Sequence, residues 1–244
     1  MRGLSIAGAF GLPPLTFSPM TREQTERLNP RPFVGIVRMA LALLAIVALG
    51  VGFDRDIYLH AWVDFFFYFT DLSNLFGAAV LLTGGLAALR GRPGLSDLLR
   101  GASVLYLVIT GLVYWTLLAN QMTAETIKWQ NDIVHGVMPA ALLIDWLLLP
   151  PASRLSFAKT SRWLAFPLIY LAVSLIRGPI VQWWPYDFLD PREPGGYVHV
   201  TTWSVIVTAI FVLFTVLITL AGNQLCSRRS GVGSAELAGS VGSA

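Results

Sequence analysis

The chain has 244 residues, of which 55% are hydrophobic and only 13% are charged. Soluble domains usually carry about 25% charged residues, and the mean hydropathy here is +0.64. This composition excludes a soluble globular domain, a disordered chain and a nucleic-acid-binding protein. The one cysteine, Cys226, also excludes an intrachain disulfide framework and a zinc site built from cysteines.

Six apolar stretches are each long enough to cross a bilayer as a helix, which takes about 20 residues. In chain order they are residues 33–53, 62–89, 101–119, 131–149, 163–181 and 199–222. The second stretch is overlong, so we expect it to tilt or to begin in the interfacial layer. The sequence therefore predicts an all-α fold, a six-span transmembrane helix bundle.

The positive charges alternate between successive connections of this predicted bundle. The N-terminal arm, the second and fourth connections and the C-terminal tail hold twelve Lys and Arg, whereas the other three connections hold three. Since Lys and Arg accumulate on the cytoplasmic side, both termini are predicted to be cytoplasmic in a multi-pass protein of the cell membrane.

The predicted chain divides into three regions. Residues 1–32 are predicted to form a cytoplasmic arm, with Met20 as an alternative start to Met1. Residues 33–222 form the membrane domain, and the Gly/Ser-rich residues 223–244 a disordered cytoplasmic tail.

Polar side chains inside the predicted spans need a structural or functional reason, because the bilayer makes them costly. They are Thr70, Asp71 and Asn74 in the second span, Asn131, Asp132 and His135 in the fourth, and Arg177 in the fifth. Asp71 is the predicted ion-pair partner of Arg177, which can alternatively extend to the headgroups. Arg38 and Asp145, near the inner ends of their spans, are interpreted as anchors, and the aromatic segment 183–191 as an interfacial anchor.

Three of these residues share one predicted depth although they come from three helices. Thr70 lies about 9–12 Å and His135 about 6 Å from the outer ends of their helices, counted at 1.5 Å per residue, and Arg177 lies about one helical turn from its outer end. Thr70 and Asn74 share a helix face, as do Asn131 and His135. The spacing predicts a polar site in the outer half of the bilayer.

A hydroxyl and an imidazole in one buried site suit acyl transfer. A neutral imidazole can take the proton of a Thr hydroxyl, which is otherwise a weak nucleophile. Thr70 is the candidate nucleophile and His135 the candidate base. Asn131 or Asp132 is the candidate that orients the ring, and Asn74 or Arg177 supports the oxyanion or a substrate carboxylate. A structural role stays open for each, such as a Thr70 hydroxyl bonded to its own helix.

Four motifs in order resemble a known family. They are F-x-Y-F-T-D-L-S-N-L within residues 65–75, N-D-I-V-H-G-V-M-P at 131–139, I-R-G at 176–178 and W-P-Y-D-F-L-D-P at 184–191. This series, across residues 33–222, resembles the bacterial branch of the androgen-induced-gene-one-like integral membrane proteins, which are grouped with the androgen-dependent TFPI-regulating protein. The resemblance implies a multi-pass threonine hydrolase that cleaves fatty acid esters of hydroxy fatty acids without a metal or other cofactor. By motif, it maps the nucleophile to Thr70 and the second catalytic residue to His135.

Two other classes of function remain open. Three histidines, His60, His135 and His199, lie on or near the predicted outer face with Asp132, and such side chains can bind zinc in a metal-dependent hydrolase. Buried polar residues also mark lipid-binding or transport proteins without catalysis. In all three cases the expected partners are membrane lipids and, for the hydrolases, a lipid ester, with no nucleic acid.

Overall fold

The computed structural model describes residues 31–121 and 126–241, and within these the side chains of residues 32–120 and 126–228. The predicted arm 1–32 thus lies almost wholly outside the described residues. The helices are α1 (Arg31–Tyr58), α2 (Trp62–Phe65), α3 (Phe69–Leu89), α4 (Asp97–Val113), α5 (Lys128–Asp132), α6 (Met138–Leu148), α7 (Phe157–Thr160), α8 (Ala165–Val181) and α9 (Gly196–Val241). Since the described residues form helices and no strands, the all-α prediction is confirmed.

Short stretches of other helix types connect or extend these helices. A π-helical turn, Tyr114–Leu118, extends α4, and a second, Ile133–Val137, joins α5 to α6. Turns of 3₁₀-helix occur at Ala119–Gln121, Ser161–Leu164 and Asp187–Leu189. Because π-helical turns inside α-helices occur often at functional sites, the second of these turns marks a region of interest.

Five helical segments are long and apolar enough to cross a membrane, which is compatible with a membrane protein. They are Pro32–Tyr58, Phe69–Leu89, Asp97–Leu118, Phe157–Val181 and Gly196–Arg228. The remaining predicted span, 131–149, is helical from Lys128 to Leu148. Its polar side chains Asn131, Asp132, His135 and Asp145 reduce its hydropathy below that of the other five. The count of six spans and the cytoplasmic termini stay predictions.

The overlong second stretch, which was expected to tilt or to begin in the interfacial layer, is divided into two helices. Helix α2 ends at Phe65, residues 66–68 turn, and α3 begins at Phe69. Phe65 and Phe66 pack edge-on against Phe53 of α1, with ring centroids 5.1 and 5.8 Å away. This packing holds the turn in place, so that Thr70 lies in the first turn of α3 and not in the middle of a continuous helix.

The predicted disordered tail is wrong for residues 223–228. Helix α9 continues past Gly222, and the side chain of Asn223 exchanges two hydrogen bonds with the backbone of Leu155, at 2.7 and 2.9 Å. The guanidinium of Arg154 donates to the Ser227 hydroxyl at 2.8 Å. The composition indicated disorder, but these side-chain bonds to the α6–α7 connection hold the helix in place.

Small side chains bring α1 and α3 together. Ala42, Ala45 and Ala48 of α1 are fully buried. A Cβ atom at Gly35 would lie 3.0 Å from the Gly85 carbonyl oxygen, and one at Gly85 would lie 2.9 Å from that of Gly35. Helices that lack a hydrophobic driving force between them associate through such small residues, as in membranes.

The outer surface of the bundle is apolar. Large hydrophobic side chains point outward from several helices, including Leu43 at 62% exposed, Leu148 at 74% and Val198 at 76%. An apolar exterior of this kind suits a lipid environment better than water.

Away from α3's first turn, charged residues pair with each other. Arg38 of α1 makes a two-pronged bond to Asp145 of α6, at 2.7 and 3.0 Å, and Arg100 of α4 donates to the same carboxylate at 3.0 Å. Arg38 also approaches Gly84, near the far end of α3 from Thr70. Arg38 and Asp145, which were interpreted as anchors near the inner ends of their spans, thus belong to one interhelical network.

Candidate active site

Thr70 lies at the start of α3, buried against two segments that are distant from it in sequence, those of His135 and Tyr186. It is 9% exposed and occupies the first turn, directly after the turn at residues 66–68. Its hydroxyl oxygen Oγ1 is 3.2 Å from Nε2 of His135. The structure thus brings together the two side chains predicted to carry the chemistry.

His135 lies on the π-helical turn between α5 and α6, and its contacts indicate its tautomer. Its Nδ1 atom is 3.2 Å from the main-chain carbonyl oxygen of Asn131. Because a carbonyl only accepts hydrogen bonds, Nδ1 carries the proton of the neutral ring, and Nε2 presents a lone pair to Thr70. The Tyr114 ring stacks on the imidazole, with centroids 3.9 Å apart and planes at 19°. The imidazole is thereby fixed in the orientation that a base requires.

Asn74 fastens the helix that carries Thr70 to the turn that carries His135. It has no exposed surface, and its amide nitrogen donates to the Thr70 carbonyl at 2.9 Å and to the Val134 carbonyl at 3.1 Å. An amide group has two N–H donors, so both are used in fastening α3 to the π-helical turn. The predicted role of Asn74 as an oxyanion donor is therefore not supported, and its position is that of a clamp.

The fourth-span residues divide between the site and the surface. The Asn131 side chain donates to the Tyr114 hydroxyl at 2.6 Å, so Asn131 both fixes the stacking ring and orients His135 through its carbonyl. Asp132 instead pairs with Lys128 at 2.8 Å, and the side chains of Lys128 and Asp132 are 74% and 41% exposed. Of the two predicted orienting residues, Asn131 is the one that contacts the ring.

Arg177 and Asp71 do not form the predicted ion pair. Arg177 pairs with Asp64 at 2.9 Å, and its guanidinium lies over Phe67 and Trp183, 3.9 and 5.0 Å from the ring centroids. The break after α2 turns Asp64 toward α8, which places a carboxylate nearer to Arg177. Arg177 therefore braces the segments around the site, whereas Asp71 lines the same cleft as Thr70.

Tyr186 is a site residue that sequence reasoning missed. The Thr70 N–H donates to the Tyr186 hydroxyl at 3.4 Å. Burial raises the pKa of this phenol, and hydrogen bonding to Thr70 partly opposes the rise. The W-P-Y-D-F-L-D-P motif was the available signal, but its aromatic and proline content is equally typical of an interfacial anchor.

Trp115 also supports the π-helical turn without having been predicted. Its indole Nε1 donates to the His135 carbonyl at 3.0 Å. Since the Val134 carbonyl accepts from Asn74, two successive carbonyls of this turn are satisfied by side chains. A π-helical turn displaces carbonyls from the regular helical ladder, and these donors compensate for that displacement.

Thr70 stands between two spaces of opposite character. On one side is a cleft of about 440 Å³ with polar lining residues that include Arg55, Asp71 and His135. On the other is a cavity of about 140 Å³ lined mainly by apolar side chains, most of them from α4, α8 and α9. Thr70 and Tyr186 line both. The nucleophile candidate thus faces an apolar space and a polar space at once.

The predicted metal alternative finds no assembled ligand set in the part of the chain that the structure describes. Within it, no three or more His, Cys, Asp or Glu side chains form a group that can hold a metal ion. His60, His135 and His199 are therefore not gathered into one site, and Asp132 is paired with Lys128.

No family model, no curated protein and no solved structure matches the chain. The resemblance to the androgen-induced-gene-one-like proteins therefore stays a prediction. What defines the site is its own geometry, in which a hydroxyl, an imidazole and a carbonyl follow one another in hydrogen-bonding sequence.

Proposed function

We propose that the protein is an intramembrane hydrolase of lipid esters, with Thr70 as nucleophile and His135 as general base. The observation that carries the proposal is the 3.2 Å contact between Thr70 Oγ1 and His135 Nε2, in a ring whose Nδ1 is held by the Asn131 carbonyl. Nucleophile, base and orienting group in this order form the arrangement of a catalytic triad. The charge pattern of the loops supports a site in the non-cytoplasmic half of the cell membrane, in a multi-pass protein.

The reaction proceeds in two halves through an acyl-enzyme. Thr70 Oγ1 attacks the ester carbonyl carbon while its proton passes to His135 Nε2. The bond between that carbon and the alkoxy oxygen then breaks, and His135 returns the proton to the leaving alcohol. In the second half, water attacks the Thr70 ester, His135 takes a proton from the water, and the proton returns to Thr70 as the carboxylic acid leaves.

Oxyanion stabilisation comes from the start of α3 and from Tyr186. The first amide groups of a helix lack intrahelical partners and carry partial positive charge, and Thr70 lies among them. The Tyr186 hydroxyl accepts the Thr70 N–H, so its own proton is available for the developing oxyanion. Its raised pKa keeps that proton in place at neutral pH.

The two spaces beside Thr70 fit the two parts of a lipid ester. The apolar cavity takes the acyl chain, and the polar cleft takes water and the leaving alcohol. The family resemblance favours a fatty acid ester of a hydroxy fatty acid, and such a molecule has an acyl part and a polar end that match these spaces.

The test is ester hydrolysis by the purified protein in liposomes. Thr70→Ala is expected to lower the rate by about 10³-fold or more, as for other covalent nucleophiles. Thr83→Ala is the matched control, because Thr83 lies on the same helix and its hydroxyl bonds to the Ala79 carbonyl at 2.6 Å on the exposed face. A folded Thr70→Ala protein with an unchanged rate overturns the proposal.

The alternative classes give distinct results in the same assay. A lipid-binding or transport protein binds or moves the ester without cleaving it. A metal-dependent hydrolase loses its activity to a chelator, whereas a Thr–His hydrolase keeps it.

A further inference from the structure

The apolar cavity beside Thr70 adjoins a second space that opens on the lipid-facing surface. A groove of about 490 Å³ runs between α8 and α9. Its lining residues are Leu171 and Leu175 of α8, and Val200, Thr201, Ser204, Val205, Thr208 and Ala209 of α9. They recur at four-residue spacing, so they form one stripe on each helix. The stripe on α9 extends for about 14 Å along the helix at 1.5 Å per residue.

Three residues line both the groove and the cavity. They are Leu171, Ser204 and Thr208, whose side chains form the partition between the two spaces. Leu171 is half-buried, and Val205, on the outward side of the groove, is 64% exposed. The groove on the lipid-facing surface and the cavity that Thr70 lines therefore share part of their walls.

Ser204 has a feature that distinguishes it from its neighbours. Thr201 and Thr202 satisfy their hydroxyls on the carbonyls four residues earlier, both at 2.8 Å. The Ser204 hydroxyl is buried and has no hydrogen-bond partner among the described residues. A buried hydroxyl without a partner is costly, and a ligand oxygen at the partition satisfies it.

We propose that the α8–α9 groove is the entrance through which a lipid ester passes its acyl chain from the bilayer into the cavity beside Thr70. The occupant is a single acyl chain, since the groove and the cavity are both mainly apolar and share only three lining residues. The Ser204 hydroxyl donates a hydrogen bond to an ester oxygen as the lipid crosses the partition. This inference rests on the proposed function, because it assigns the route to the same nucleophile.

The test places a large side chain at the partition and compares the hydrolysis rates of two esters. Ser204→Trp and Thr208→Trp are expected to slow hydrolysis of a long-chain ester in liposomes by roughly tenfold or more, as pocket-filling changes do. Hydrolysis of 4-nitrophenyl acetate, which is small and water-soluble, is expected to stay within about twofold because it reaches Thr70 through the polar cleft. Thr202→Trp is the matched control, since Thr202 is exposed on α9 outside the groove. Unchanged long-chain hydrolysis in both partition variants overturns the inference.

A second measurement does not depend on turnover. A fatty acid ester with a diazirine at the end of its acyl chain is photolysed in liposomes with the Thr70→Ala variant, which does not consume it. Labelling of the α8 and α9 peptides that contain Leu171 and Ser204, reduced in the added Ser204→Trp background, supports the entrance even where Ser204→Trp lowers hydrolysis of both esters. Labelling confined to other helices overturns it. If the unmodified protein cleaves no ester, the proposed function fails, and the labelling pattern still tests the groove as an acyl-chain site.

Discussion

Thr70 and His135 are 65 residues apart in sequence, yet their side-chain atoms lie 3.2 Å apart. Counting residues from the ends of predicted spans indicated a shared depth, because helical rise is constant. Equal depth does not determine which helix faces contact each other. In the structure, Asn74 fixes this contact, because its amide donates to the carbonyls of both Thr70 and Val134. The predicted partner of Arg177 is wrong, and the choice between Asn131 and Asp132 as the orienting residue was left open. Both depend on local side-chain geometry that spacing does not define.

Tyr186 is the residue whose proposed role is most easily isolated. Tyr186→Phe removes the hydroxyl and keeps the ring that stacks on Phe188, with centroids 5.1 Å apart. If the hydroxyl donates to the oxyanion, the variant loses about 10²-fold in kcat with little change in KM, as for other oxyanion donors. Tyr58→Phe is the control, because Tyr58 is 82% exposed. Full kcat in Tyr186→Phe contradicts this role.

The pH dependence of kcat provides a further check at this residue. A base must be deprotonated, so the rate rises with pH as His135 loses its proton. The donor must be protonated, and burial raises the pKa of Tyr186 above its ordinary value, which is about 10. We therefore expect a plateau that extends past about pH 10. A fall in rate near pH 8 or 9 in the unmodified protein is inconsistent with Tyr186 as the donor.

The π-helical turn Ile133–Val137 is the element on which the site depends, and helix α4 packs closely against it at Gly111. A Cβ atom at Gly111 would lie 2.9 Å from the His135 carbonyl oxygen and 3.2 Å from the Pro139 ring. Gly111→Ala is expected to displace the turn and lower kcat by about tenfold or more, since small misplacements of a base are costly. Gly50→Ala is the control, because a Cβ atom there meets nothing within 4 Å. Equal kcat of Gly111→Ala and Gly50→Ala in the hydrolysis assay contradicts the dependence of the site on the position of this turn.

Most helices could be predicted from hydropathy, but the irregular elements could not. Apolar runs indicate where a helix lies, and the observed helices include most of each predicted span. The break between α2 and α3 arises from aromatic packing against Phe53, and the π-helical turns arise from tertiary contacts such as Trp115 to the His135 carbonyl. Neither has a periodicity signal, and both determine the position of Thr70 or His135.

A charge network that stabilises the bundle lies at the opposite end of α3 from the candidate active site. Asp145 joins Arg38 and Arg100, so that three helices share one carboxylate with both arginines about 14% exposed. Asp145→Asn removes the carboxylate partner of the partly buried Arg38, whereas Arg100 keeps its ion pair with Asp97 at 2.9 Å. The change is therefore expected to destabilise the fold by about 3 kcal/mol, the lower end of the range for a broken buried pair. Because the network lies near the far end of α3 from Thr70, kcat of the folded fraction is expected to be unchanged. Thermal unfolding and active-site titration measure the two effects separately, and a loss of kcat with unchanged stability contradicts this separation.

The central claim is that Thr70 acts as a nucleophile, and covalent capture tests it most directly. With a fluorophosphonate, the Thr70 oxygen displaces fluoride from phosphorus while His135 takes the hydroxyl proton. Mass spectrometry of the purified protein is expected to show one phosphonyl group, located on Thr70, absent from Thr70→Ala and greatly reduced in His135→Ala. Ester hydrolysis accompanied by a phosphonyl group on another residue, or by none on Thr70, contradicts the account.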